Sequence, residues 1–263
     1  MNEFAFESYG VRVRVECSDA GLLETALAVV RRTLLDRIAP IDRAKADHVF
    51  TLSKKGSRYF MDLNGEDLGD NETEWVFFKY FDTRIRLLIA EHAVGFVFMH
   101  AGVVAWNDKA LIFPADSYSG KTTLVYEFVK KGAIYYSDEY AVFDRYGNVH
   151  AFPRMLSVRD EGGNYKKTDL SVESFGGIKG VDPKPVSLVL LTKYRVRARW
   201  NPVILTPGLG LMKMMPQAIS LRFHSEFTIE VLNQITKRAI IAESPRSGAE
   251  IAAGKIIDFV DNL

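Results

Sequence analysis

The sequence predicts an α/β protein in which a phosphate-binding P-loop domain follows a small α+β region. From residue 95 onward the chain consists of short, strongly apolar runs separated by turn residues, as in a sheet of buried strands. One of these runs, 110–113, leads through a short loop into an amphipathic helix that begins near Lys121, which is the strand–loop–helix order of a P-loop. We therefore expect an α+β N-terminal region over residues 1–94 and a nucleotide-binding domain over residues 95–263.

The composition limits the class of partner. The 263 residues carry a formal net charge of +1, so no global basic field points to nucleic acid or to an anionic membrane surface. A single cysteine, Cys17, excludes an internal disulfide framework and a cysteine-rich zinc site. No apolar run approaches the roughly 20 residues that span a bilayer, and the first residues are acidic where a signal peptide would be basic. We expect a cytoplasmic protein.

The N-terminal region contains signals for strands and a capped helix. Valines alternate with charged residues over 11–16, which predicts a half-buried strand. Residues 22–35 follow as a helix, with Asp19 as its cap. Two further runs, 48–52 and 58–63, predict a β-hairpin.

A long helix is predicted to end this region. Asp70 and Asn71, followed by Glu74, suggest an N-terminal cap for a helix over about 72–92. The apolar residues that this helix is expected to bury are Trp75, Phe78, Phe81, Ile85 and Leu88.

The second region alternates strands and turns before ending in helices. Asn107 and Asp108 predict a hairpin turn, and the polar composition of 160–185 predicts a surface loop. The pattern predicts strands over 96–99, 102–105, 110–113, 133–136, 140–143, 149–152 and 186–191, and helices over 227–237 and 249–260.

The loop after residue 114 carries the strongest chemical signal. In a P-loop, backbone N–H groups at a helix N-terminus bind a polyphosphate, a lysine (here Lys121) neutralises it, and a hydroxyl (here Thr122) binds Mg²⁺. The alternative is a glycine turn that only begins a helix. The first glycine of the usual motif is Ala115 in this chain. The predicted nucleotide-binding residues are Ala115, Asp116, Ser117, Tyr118, Ser119, Gly120, Lys121, Thr122 and Thr123.

Two acids follow the next apolar run. Asp138 and Glu139 come after 133–136, at the predicted end of a strand next to the P-loop strand. A carboxylate there suits a Mg²⁺–nucleotide site, and a second one can act near the substrate hydroxyl. An isolated Asp-Glu pair would more often be a solvated turn. His100 ends another apolar run, where a lone histidine is more typical of a core residue than of a catalyst.

Taken together, these motifs resemble the catalytic core of HPr kinase/phosphorylase. That family has a His-Gly-Val strand end, a G-D-S-G-x-G-K-S loop and an Asp-Asp pair in the order seen here at 100–103, 115–122 and 137–139. The Lys-Thr-Thr-Leu ending is similar to that of the related phosphoenolpyruvate carboxykinases. Short HPr-kinase-like proteins of bacterial peptide-modification clusters are more similar still. The resemblance covers roughly residues 95–160.

The resemblance implies a fold and an activity. The fold would be HPr-kinase/phosphoenolpyruvate-carboxykinase-like, and the activity would be transfer of phosphoryl from ATP, with Mg²⁺, to a serine or threonine hydroxyl of a peptide, protein or small metabolite. Thr122 and Glu139 would hold the metal and Asp138 would be the base, with the reverse assignment of the two acids equally open. His100 and Arg159 would line the site. Because HPr kinases are hexamers, self-association is also implied.

The chain departs from the family in ways that support a second hypothesis. Ala115 and Tyr118 stand where the family has glycines, and Glu139 replaces an aspartate. The glycine-rich signature of the bifunctional enzymes is reduced to residues 175–180, so HPr is not the expected acceptor and phosphorylase activity is not expected. The alternative is a catalytically weak or inactive nucleotide-binding partner protein in a biosynthetic or regulatory complex.

Several arginines are candidates for contact with the transferred phosphoryl group. Arg154 and Arg159 come soon after the acidic pair, and Arg222, Arg238 and Arg246 are more distant candidates. Cations also alternate with other residues over 193–200, which indicates a solvated strand face or, as the lesser hypothesis, a site for an acidic peptide or nucleic acid.

Overall fold

The computed structural model describes residues 2–115, 119–159 and 167–263, with only the backbone of Arg159 and Lys167. It confirms a mixed α/β protein. The chain divides into two compact units, Met1–Gly95 and Phe96–Leu263, one residue from the boundary that the sequence predicts. Over these three ranges, no helix combines the length and apolar character needed to cross a membrane.

The first unit is a six-stranded sheet with two helices. The strand order is β3-β1-β2-β4-β5-β6, with β2 and β4 parallel and the other neighbours antiparallel. The elements are β1 (Asn2–Ser8), β2 (Val11–Cys17), α1 (Ala20–Leu34), β3 (Ala39–Pro40), β4 (His48–Lys55), β5 (Arg58–Leu63), β6 (Glu66–Asn71) and α2 (Glu74–His92).

The predicted cap of α1 is confirmed, whereas that of α2 is wrong. Asp19 accepts a hydrogen bond from the Leu22 N–H at 2.9 Å, as an N-cap side chain does. Asp70 instead lies near the end of edge strand β6, and Arg58 pairs with it. The N-cap of α2 is Thr73, which makes no side-chain capping bond.

Trp75 is 68% exposed, although the other four apolar residues predicted for this helix are buried. At 100° per residue, position 75 lies about 100° from the centre of the stripe that Phe78, Phe81, Ile85 and Leu88 define. Its ring packs under the Lys79 ammonium, which lies 4.5 Å from the ring centroid. The buried stripe instead includes Phe77.

The second unit is built on an eight-stranded sheet. Its order is β11-β10-β7-β8-β14-β16-β15, with β9 also paired to β7. The elements are β7 (Phe96–Trp106), β8 (Lys109–Pro114), α3 (Lys121–Lys130), β9 (Ile134–Ser137), β10 (Tyr140–Asp144), β11 (Asn148–His150), β12 (Leu156–Arg159), β13 (Lys167–Leu170), β14 (Lys184–Tyr194), β15 (Val203–Ile204), α4 (Pro207–Met214), α5 (Ser225–Arg238), β16 (Ile240–Arg246) and α6 (Ala249–Asp261).

Helices cover the sheet of this unit on both sides. One apolar cluster joins the sheet to α3 and α6, and another joins it to α4 and α5. Strands β8, β14 and β16 are parallel, so their C-terminal ends meet at one edge of the sheet, where the loop after β8 begins.

Some strand predictions need correction. The runs 96–99 and 102–105 form one strand, β7, since the intervening His100–Ala101 pair continues the ladder. The predicted turn at Asn107 and Asp108 is confirmed, with φ of 48° and 62°. The alternation over 193–200 is not a strand face beyond Tyr194, where β14 ends.

We expect Asp19→Ala to lower the free energy of unfolding by about 1 kcal/mol, because it removes a helix cap. Asp70→Ala should cost about 0.5 kcal/mol or less, because it removes only an exposed ion pair. Urea unfolding of both variants measures the difference. A larger loss for Asp70→Ala would contradict the assignment of the caps.

Candidate phosphate and metal site

Strand β7 brings the two halves of the candidate site together. On one edge, the Ala115 N–H at the start of the loop donates to the His100 carbonyl at 3.4 Å. On the other edge, the Ala101 N–H donates to the Glu139 carbonyl at 3.2 Å. The sequence predicts the strand before Asp138 to be a neighbour of β8, but the structure places β7 between them. The Asp-Glu turn fills the gap between β9 and β10, directly across β7 from the loop.

The loop enters α3 through a left-handed glycine. Gly120 is the N-cap of α3 with φ of +81°, a conformation that costs other residues free energy. The Lys121 ammonium lies 3.2 Å from the Ala115 carbonyl oxygen. The aliphatic part of the Lys121 side chain passes close to Gly102: a Cβ added to Gly102 would lie 2.9 Å from Lys121 Cγ. Among the predicted loop residues, Asp116, Ser117 and Tyr118 lie outside the described residues.

Thr122 and Asp138 connect the loop to the acidic turn. The Thr122 hydroxyl donates to Asp138 Oδ2 at 3.2 Å. The Tyr135 hydroxyl lies 3.1 Å from Asp138 Oδ1 and 2.8 Å from the Arg154 carbonyl, and its one proton serves one acceptor at a time. Both oxygens of Asp138 therefore face hydroxyl groups.

The environment of Asp138 favours the protonated carboxyl group. Burial and, to a smaller extent, the charge of the neighbouring Glu139 raise the pKa of Asp138 to about 6, against hydrogen bonds from Tyr135 and Thr122 and the charge of Lys121, which lower it. Burial also raises the pKa of Tyr135 well above its ordinary value, so this phenol stays a donor. A carboxyl group with a pKa near neutrality, beside a lysine at a helix N-terminus, is typical of functional sites.

Ser137 fixes the acidic turn, although the sequence offers no signal that singles it out. Its buried hydroxyl accepts hydrogen bonds from the N–H groups of Glu139 and Tyr140, at 3.1 and 3.0 Å. The first of these bonds is a serine turn, which mimics a backbone turn. The side chain of Ser137 thus determines where the two carboxylates stand.

His100 and Glu139 form the more accessible side of the site. His100 Nδ1 lies 3.9 Å from Glu139 Oε1, and their side chains are 22% and 30% exposed. Asp138, by contrast, is only 8% exposed. The two adjacent acids therefore occupy different environments, one buried under hydroxyl groups and one partly open to solvent.

Arg246 reaches the loop from the end of β16. Its Nη2 donates to the carbonyl of Gly120 at 2.8 Å and lies 3.3 Å from that of Ser119. The residue is 3% exposed, and burial lowers the pKa of its guanidinium, which remains a cation. Within the described ranges, no carboxylate lies within 4.0 Å of it, and its Nε has no hydrogen-bond partner. The sequence ranks Arg246 among the more distant candidates.

The other arginines that the sequence predicts as candidates for the site lie in different parts of the second unit. Arg154 contributes its carbonyl to Tyr135, beside Asp138. Arg159 ends β12, and its side chain lies outside the described residues. Arg238 donates to the Tyr146 carbonyl in the turn after β10, at the sheet edge away from the loop. Arg222 lies over the Phe223 ring.

The residues present fit a phosphate ligand and a divalent cation. A Cβ on Gly120 would lie 2.6 Å from Arg246 Nη2, so only glycine leaves the contact between the loop and Arg246 undisturbed. The Thr122 and Asp138 oxygens are 3.2 Å apart, close to the roughly 3 Å between adjacent ligands around an octahedral Mg²⁺. In the described part of the chain, no three His, Cys, Asp or Glu side chains group closely enough to form a metal site by themselves.

The raised pKa of Asp138 predicts a stability that falls with pH. The native carboxyl group holds its proton to about pH 6, against an unfolded value of 3.8, so the native state binds more protons between these values. The stabilisation is complete only below about pH 3 and is lost as the pH rises through 6. Metal-free wild-type protein should therefore lose about 2 kcal/mol relative to Asp138→Asn between pH 4 and pH 8. Urea unfolding across this range measures it, and parallel pH profiles would refute it.

Gly120→Ala should destabilise the protein more than Gly132→Ala. Both glycines have positive φ at an end of α3, but an added Cβ meets nothing within 4 Å at Gly132. Each change incurs about 1–2 kcal/mol of backbone strain, and overpacking against Arg246 should add about 1 kcal/mol or more at Gly120. In an Arg246→Met background this excess should disappear, which a double-mutant cycle measures. Equal losses in the wild-type background would be the contrary result.

Comparison of the sequence with known proteins assigns the chain to no family. No protein-family model matches the chain, and no curated protein matches it. The resemblance to HPr kinases therefore depends on the three motifs around His100, Lys121 and Asp138.

Proposed function

We propose that this protein is an ATP-dependent phosphotransferase acting on a serine or threonine hydroxyl of a peptide, protein or small metabolite. The observation that carries the proposal is the hydrogen bond from Thr122 to Asp138. It joins the hydroxyl that a P-loop offers to Mg²⁺, here on α3, with a buried carboxylate from the turn between β9 and β10. Two motifs 16 residues apart thus meet where a nucleotide-bound metal would need both.

Thr122 and Asp138 would hold Mg²⁺. Because Asp138 accepts a hydrogen bond from the Thr122 hydroxyl, the lone pairs of that hydroxyl oxygen remain available to a cation. When bound, Mg²⁺ would neutralise charge on the phosphate oxygens during transfer. Lys121 and the N-terminus of α3 add positive potential at the same loop.

The contacts favour Glu139 as the group that takes the proton of the acceptor hydroxyl. Both oxygens of Asp138 already face hydroxyl groups, whereas Glu139 is more exposed and lies beside His100. The acceptor oxygen would bond to the γ-phosphorus of ATP as the bond to the β–γ bridging oxygen breaks. Its proton would pass to Glu139, and ADP would leave. Of the two assignments that the resemblance leaves open, the contacts thus favour Asp138 as the metal ligand and Glu139 as the base.

Mg-ATP should raise the melting temperature of the wild-type protein, because it binds only the native state. Lys121→Met should abolish the shift. Lys131→Met, which removes an exposed lysine at the other end of α3, should retain it. Asp138→Asn should weaken the Mg²⁺ dependence of the shift. Glu139→Gln should retain ATP binding and lower turnover by about 100-fold or more, as loss of a general base does.

Differential scanning fluorimetry and release of ADP with hydroxyl-bearing acceptors measure these effects. The absence of any shift at millimolar Mg-ATP would refute the proposal. A normal shift with no turnover across a panel of peptide and metabolite acceptors would favour the nucleotide-binding partner protein instead.

A further inference from the structure

A short basic segment follows the end of β14. Residues 193–199, hereafter the basic segment, contain four cations, all exposed. In the portions of the chain that the structure describes, no carboxylate lies within 4.0 Å of any of the four. Elsewhere many exposed cations have acidic partners, as Arg12 has Asp47. The four cations are Lys193, Arg195, Arg197 and Arg199.

The basic segment lies beside the candidate phosphate loop. Because β14 runs parallel to β8, it ends at the sheet edge where the loop begins. Tyr194, within the segment, lies close to Gly120: a Cβ added to Gly120 would be 3.9 Å from the Cβ of Tyr194. The Arg246 guanidinium lies 5.9 Å from the centroid of the Tyr194 ring. The exposed cations therefore adjoin the site in the fold.

The backbone of the basic segment is held in a defined turn. The Arg195 N–H donates to the Arg246 carbonyl at 2.9 Å, and the Ala198 N–H donates to the Arg195 carbonyl at 3.1 Å. Arg197 has φ of 59°, an unfavourable conformation for a residue with a side chain. Just beyond, the Asn201 N–H donates to Ser244 Oγ at 3.0 Å. The turn is therefore anchored to β16 on both sides and presents its cations from a fixed position.

We propose that the basic segment binds acidic residues of the polypeptide that carries the acceptor hydroxyl. This inference rests on the proposed function and specifies its substrate class: a peptide or protein with glutamates or aspartates near the phosphorylated residue. Charge complementarity favours an acidic chain, since the cations have no carboxylate partner among the described residues. A peptide fits better than a nucleic acid, because the net charge is +1 and a track of phosphates would need a more extended basic surface.

The test compares two labelled peptides. Each is a fluorescein-labelled dodecapeptide with one central serine, flanked by glutamates in one peptide and by glutamines in the other. Without ATP and at 50 mM salt, the glutamate peptide should bind the wild-type protein about tenfold more tightly, and the preference should fade by 0.5 M salt as the charges are screened. The triple variant Arg195→Gln, Arg197→Gln, Arg199→Gln should lose the preference. Fluorescence anisotropy measures each affinity.

A matched triple variant controls for net charge. Lys109, Lys131 and Arg145 are exposed cations at the start of β8, after α3 and after β10, at the ends of those elements away from the loop. Their combined change to glutamine removes the same charge and should leave the preference for the glutamate peptide intact. Both triple variants should keep the Mg-ATP thermal shift.

Three results would overturn the inference: equal binding of the two peptides, a preference that survives in the basic-segment variant, or tighter binding of a twelve-nucleotide RNA than of the glutamate peptide. The Mg-ATP thermal shift distinguishes failure of this inference about the basic segment from failure of the proposed kinase function. If Mg-ATP stabilises no form of the protein, the kinase proposal fails, while anisotropy still decides whether the basic segment binds an acidic chain.

Discussion

The site depends on the backbone pairing of β7. This strand holds the start of the candidate phosphate loop on one edge and the acidic turn on the other, through adjacent residues His100 and Ala101. The register between paired strands can change only by whole residues, and a shift of one residue would turn each side chain to the opposite face of the sheet. Buried residues line both faces of β7, so its register is strongly specified. The distance between Thr122 and Asp138 is therefore a consequence of sheet register.

The same arrangement places opposing demands on Asp138. A buried carboxyl group is most stable when protonated, whereas the metal ligand that we propose Asp138 to be would have to be ionised. Two hydroxyl groups and the charge of Lys121 reduce this conflict without removing it. Such a residue makes the ligand-free fold less stable near neutral pH, and a bound cation would restore the lost free energy. Functional residues commonly have this effect on stability.

Local patterns in the sequence predicted the local elements well. The cap at Asp19, the turn at Asn107 and the helix beginning at Lys121 each depend on a few adjacent residues. Tertiary pairing determined what the sequence did not show. The insertion of β7 between the loop and the acidic turn, and the approach of Arg246 to the loop, join residues distant in the chain. The prediction that Trp75 is buried is wrong because, although the side chain is apolar, its position lies off the buried stripe of the helix.

The contact of Arg246 with the candidate phosphate loop joins residues that are far apart in the sequence of the second unit. The guanidinium that contacts the Gly120 carbonyl belongs to a residue 126 positions later, on a strand that joins the sheet next to β14. Contacts of such sequence separation form late, because closing a long loop is entropically costly. During synthesis, a nascent chain that ends before β16 would contain every residue of the P-loop motif but lack this contact. The proposed nucleotide site would therefore be complete only after β16 has left the ribosome and joined the sheet.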